Sequence, residues 1–111
     1  MTFLYLNSDR MGEGDPELGR KLMISFLKEL EKSNVRVDMI GAVNSGINLT
    51  TQDGQALEIL KRMEQKGAKI ATCGTCLEHY KRQDDLLIGQ VGTMDMTVMV
   101  MAAADRIIRP N

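Results

Sequence analysis

Short β-prone apolar runs alternate with segments of helical period along the whole 111-residue chain, and no two-residue hairpin signal separates them. This alternation constrains the fold most. Strands joined by helices cannot turn back as hairpins, so they run parallel, each helix crossing over to reach the next strand. A parallel sheet needs cover on both faces, with right-handed crossovers. The expectation is one α/β domain over 1–111, with functional groups gathered where the strands end.

The elements can be placed from local signals. Thr2 to Leu6 is a β-prone run, and Asn7 to Gly14 reads as an exposed loop. Asp15 is an N-cap, Pro16 a first helical residue, and Leu18, Leu22, Met23, Phe26, Leu27 and Leu30 recur with helical period. Arg36 to Val43 is the next strand and runs into the loop Asn44-Ser45-Gly46. Thr50 and Asp53 have capping-box spacing ahead of a helix carrying Leu57, Leu60 and Met63, which Gly67 is placed to end. Ala68 to Thr72 is a third strand, followed by the Cys73-Gly74-Thr75-Cys76 turn and a short helical segment from about Cys76 to Lys81. Leu86 to Ile88 is expected as a fourth strand and Ile107 with Ile108, stopped by Pro110, as a fifth. Between them, Asp95 to Ala104 is apolar almost all round, as in a helix buried on several sides or against another subunit. That pattern predicts a homo-oligomer.

Composition removes several classes of function. A net charge of −1 without a block of Lys or Arg offers no footprint for nucleic acid or an anionic membrane. The opening run is too short for a signal peptide, and no stretch approaches a membrane span, so a cytoplasmic protein is expected. There the 2 cysteines stay mostly reduced, which favours a catalytic, redox or metal role over a structural disulfide.

Cys76 should start a helix, where the terminal dipole lowers a thiol pKa and favours the nucleophilic thiolate. Gly74 permits a tight turn and Thr75 is placed to cap, while Cys73 ends a strand, half-buried, as the second candidate catalytic thiol, placed to resolve a persulfide on Cys76 as a disulfide. Other readings stand beside this one. Both cysteines can also be read as small core residues. Cys73, Cys76 and His79, with Glu78, resemble part of a zinc site, although structural zinc needs four ligands. A thioredoxin-type dithiol lacks a facing cis-proline, since the only prolines are Pro16 and Pro110. In the other strand-end loops, Ser8 and Asp9 are placed to approach the thiol turn, and Asn44, Ser45 and Gly46 to orient a polar substrate or persulfide. An Asx or Ser turn explains the same residues without a ligand. Gly12, Gly14 and Gly19 fit neither a dinucleotide nor a Walker spacing and read as turn glycines. The Met94, Met96, Met99 and Met101 series reads as core or subunit contact.

Three stretches carry a resemblance: Ser8 to Gly14 with Leu18-Gly19, Val43 to Leu49, and Gly67 to Ile70 leading to Cys73-Gly74-Thr75-Cys76-Leu77. In these the chain resembles the DsrE/DsrF-like family, nearest the DsrE-like C-terminal domain of the YedF selenium-metabolism proteins. The resemblance implies a three-layer α/β/α, flavodoxin-like (DsrEFH-like) fold with a five-stranded parallel sheet, and frequent oligomers. It implies sulfur relay through a cysteine persulfide, with Cys76 as carrier and no cofactor. YedF-like proteins also carry a TusA-like domain, and this chain starts at the first DsrE-like strand. A separate TusA-like sulfur carrier is therefore the expected donor or acceptor. The competing expectation is a non-enzymatic oligomeric binding or assembly module with structural cysteines.

Overall fold

The computed structural model describes residues 1–111. Five strands form one sheet: β1 (Thr2–Leu6), β2 (Met39–Ala42), β3 (Lys69–Cys73), β4 (Gln90–Gly92) and β5 (Arg106–Ile108). Their order is β4-β3-β2-β1-β5 and every pairing is parallel. The helices are α1 (Pro16–Lys32), α2 (Asn48–Thr51), α3 (Gln55–Gln65), α4 (Gly74–His79) and α5 (Met94–Ala103). The result is a three-layer α/β/α fold of flavodoxin-like type.

Register explains which side chains meet. Leu4, Ile40 and Ile70 pair across β1, β2 and β3, and period-two alternation puts all three on one face. There they join Met23 and Leu27 of α1 and Leu57, Leu60 and Met63 of α3 in the main core. The intervening residues face the other way. Phe3 lies over Gly41, where a Cβ would come within 2.9 Å of the ring, and Ala71 and Cys73 share that face with Met96 and Val100 of α5. One face is thus packed by two helices and the other by α5 alone.

Local chemistry accounts for the helix ends. Asp15 Oδ2 accepts the Leu18 N–H at 2.7 Å, and Pro16 needs no partner in the first turn. Gly67, at φ 111°, takes the chain out of α3 in a conformation that favours glycine. The buried side of α1 is narrower than its apolar period suggests. Gly19, Met23 and Leu27 are buried, while Leu18 and Leu22 face outward.

Several expected boundaries move. The second strand is Met39–Ala42 rather than Arg36 to Val43, because Arg36 to Asp38 lead in through isolated bonds such as Asp38 N–H to Thr2 O at 3.0 Å. The Asn44-Ser45-Gly46 loop is a 3-10 turn over Asn44–Ile47 that continues into α2. Thr50 is not a capping residue. It is buried in α2, hydroxyl to hydroxyl with Thr72 of β3 at 2.8 Å, and Gly54 caps α3 instead. The fourth strand falls at Gln90–Gly92, not Leu86 to Ile88. Ile88 is buried, but Gly89 must pass Ile70 O so closely that a Cβ would lie 2.3 Å from it, and pairing starts only after this turn.

Candidate functional site

The three loops that leave β1, β2 and β3 converge at the carboxyl edge of the sheet. At its centre Cys73 has two roles, last residue of β3 and N-cap of α4. Its Sγ accepts the Cys76 N–H at 3.4 Å, the place an Asp or Ser oxygen ordinarily fills. Thr75, expected to cap, is instead an exposed first-turn residue. Gly74 lies beneath Val91, where a Cβ would come within 2.9 Å of Cγ1. Both cysteines are free and half-buried. Cys73 forms part of the wall of an apolar cavity of about 40 Å³ between the sheet and α5, with Phe3, Ala71, Met96 and Val100.

The Cys76 sulfur has a donor of its own. The backbone N–H of Asn44 reaches Cys76 Sγ at 3.2 Å from the 3-10 turn after β2. Asn44 stands at φ 51°, in the left-handed region, where a non-glycine residue stays only if its surroundings hold it. Tyr80 at the end of α4 does so, its hydroxyl donating to Asn44 Oδ1 at 2.7 Å. Asn44, Cys76 and Tyr80 thus form one linked unit across the two loops.

The expected lowering of the Cys76 pKa does not occur. Burial pushes the thiol up, its hydrogen bond with Cys73 adds to this, and only the Asn44 N–H pulls it down. Partial desolvation and the thiol neighbour together outweigh the Asn44 N–H.

Ser8 and Asp9 lie one step from the sulfurs. The Asp9 N–H donates to Ser45 Oγ at 3.2 Å and the Ser45 hydroxyl to Ser8 Oγ at 3.3 Å. Asn48 Nδ2 donates to Asp9 Oδ2 at 2.9 Å, and Arg82 in turn donates to Asn48 Oδ1. These contacts tie the β1 loop to the 3-10 turn, so Ser8 and Asp9 buttress the turn that carries Asn44 and do not touch the thiols. Gly46 makes the junction possible. A Cβ there would sit 2.1 Å from Leu6 O.

Sequence reasoning missed Tyr80, Asn48 and Arg82. For Tyr80 a signal existed, since it follows Cys76 by four residues and so shares its helix side. Asn48 and Arg82 carried none, because only the fold brings α2 against the segment after α4. His79 stacks edge-on against Tyr80, ring centroids 5.0 Å apart. Cys73, Cys76 and His79 do not converge on a common point.

No protein-family model matches the sequence, and no curated protein is similar enough to count as a relative. Solved structures are similar in fold. The ychN protein from E. coli superposes with a TM-score of 0.69 over 97% of this chain and 97% of its own, at 13% identity. MTH1491 from Methanobacterium thermoautotrophicum, described as a protein of unknown function, gives a TM-score of 0.67 over 98% of this chain and 97% of its own, at 19% identity. At such identities the likeness concerns architecture, and it supports the three-layer α/β/α fold with a five-stranded parallel sheet.

Proposed function

We propose that this protein is a sulfurtransferase-like carrier that relays sulfane sulfur as a persulfide on Cys76. The observation that carries the reading is the Asn44 N–H held at 3.2 Å from Cys76 Sγ by a residue in left-handed conformation. Backbone geometry of that kind is maintained where a fixed donor is useful, and this donor faces the atom on which negative charge develops. The Cys76 thiolate attacks the outer sulfur of a donor persulfide, the donor thiolate departs, and an acceptor thiolate later takes the sulfur from Cys76. No cofactor enters these steps.

The finer expectations belong to the same proposal. A TusA-like carrier is the partner that fits as donor or acceptor, in the cytoplasm, and a selenium atom would follow the same route as sulfur. No helix is long and apolar enough to cross a membrane. The protein acts as a homo-oligomer, for α5 buries no residue fully and leaves Val98 59% and Met99 69% exposed. Those exposed side chains also favour the competing reading, an assembly module with structural cysteines.

Incubation with a sulfane donor followed by mass spectrometry separates the two readings. Relay requires the addition of one sulfur mapped to Cys76, in the wild type or in Cys73→Ser, and its loss in Cys76→Ser. Two unmodified thiols, under conditions that load a control carrier, would overturn it.

A further inference from the structure

Cys73 has no evident part in the relay of sulfur through Cys76, yet its thiol is directed at the carrier. It is the N-cap of α4 and Cys76 is the third helical residue, the position whose backbone N–H an N-cap side chain ordinarily accepts. Its Sγ accepts the Cys76 N–H at 3.4 Å, which brings the two residues together at the start of α4. Its remaining surroundings are largely apolar, the cavity wall formed with Phe3, Ala71, Met96 and Val100. Cys76 is the polar residue to which the Cys73 sulfur is hydrogen-bonded.

We propose, resting on the persulfide reading above, that Cys73 is a resolving thiol which converts the loaded carrier into a source of hydrosulfide. The Cys73 thiolate attacks Cys76 Sγ, a Cys73–Cys76 disulfide bond forms, and the bond from Cys76 Sγ to the outer sulfur breaks. The outer sulfur leaves with the electron pair of that bond and takes a proton as hydrosulfide. Sulfane sulfur is reduced and the two thiols are oxidised, so one turnover needs no external reductant. The chain then has two outlets. A thiol acceptor that reaches the outer sulfur first receives it as a persulfide; without one, the sulfur is released as hydrosulfide and the carrier is left oxidised.

The direction of attack follows from placement. Cys73 Sγ is held at the Cys76 backbone N–H, on the side of the inner sulfur, whereas Asn44 and Tyr80 stand on the exposed side into which an outer sulfur would extend. Attack at the inner sulfur is the one that expels hydrosulfide.

Benzenethiosulfonate as donor keeps the two steps apart, because loading releases benzenesulfinate and resolution releases sulfide. The full chain, reduced and freed of reductant, is expected to release about one sulfide per sulfinate and to end two hydrogens lighter than the dithiol. Cys73→Ser and Cys73→Ala are expected to release sulfinate and keep the added sulfur on Cys76, with sulfide lowered at least tenfold. Wild-type protein that releases sulfinate and holds its persulfide without sulfide would overturn the resolving role and leave the carrier reading intact. Absence of sulfinate from wild type and both variants would overturn both.

Discussion

Asn44 donates its backbone N–H to Cys76 Sγ at 3.2 Å while standing at φ 51°, and the hydroxyl of Tyr80 grips its side chain at 2.7 Å. The left-handed conformation costs an ordinary L-residue about 1–2 kcal/mol, which glycine avoids. Asn44→Gly is therefore expected to keep the N–H in place and preserve Cys76 alkylation within about twofold. Asn44→Val is expected to destabilise the fold by about 1–2 kcal/mol and to slow alkylation. Urea unfolding and iodoacetamide kinetics on both variants check this, and equal behaviour of the two would show that the turn does not depend on φ.

The raised Cys76 pKa sets the pH dependence. Burial and the adjacent Cys73 thiol favour the protonated form, so the midpoint of Cys76 alkylation should lie above that of a free cysteine. In Cys73→Ser, which leaves Cys76 as the only thiol, the midpoint should fall as the thiol neighbour is lost. The linkage has a definite sign. The folded state holds this proton more tightly than the unfolded chain, so its contribution to stability is complete below the unfolded pKa and is lost as pH rises through the folded one. Denaturation followed from neutral to alkaline pH should show a downward slope that Cys76→Ser lessens, the remainder including the Met1 ammonium, whose pKa Asp105 raises in the same direction.

Thr50 and Thr72 bury their hydroxyls against each other at 2.8 Å, with Thr50 also donating to Ile47 O. An unpartnered buried hydroxyl costs about 1–3 kcal/mol, whereas removing both partners can be nearly neutral. Thr50→Val should thus destabilise by that amount and Thr50→Val with Thr72→Val should recover part of it. Chemical denaturation of the single and double variants measures the coupling; strict additivity would deny that the pair acts as one.

Helix α5 covers its sheet face alone and exposes Val98 and Met99. If a second copy covers them, Met99→Asp places a charge in an apolar interface and should shift the protein toward monomer in sedimentation or light scattering. Since Met99 touches little within its own chain, thermal stability of the monomer should change by less than about 0.5 kcal/mol, the usual range for an exposed site. A wild-type protein already monomeric at high concentration would contradict the oligomer proposal.

Local patterns determined the element types because their signals are short in range. The Asp15 and Pro16 cap, the apolar period of α1 and α3, and the β-branched and aromatic runs act within a few residues of themselves. The parallel character of the sheet followed too, since helices that link consecutive strands leave little other choice. The strand order β4-β3-β2-β1-β5 did not follow, for nothing local tells the last strand to cross the sheet and pair with β1. Apolar density misplaced β4, because an edge strand with Gln90 and Val91 exposed looks less like a strand than buried Ile88 beside a glycine turn. The convergence of Cys73, Cys76 and Asn44 at one edge was legible as a strand-end rule. Which group touches which was decided only in three dimensions. The Asn44 N–H reaches sulfur across 32 residues of sequence, and the Cys76 pKa rises because burial and a neighbouring thiol outweigh that N–H. Desolvation is set by everything packed around an atom, and no stretch of sequence near Cys76 encodes it alone.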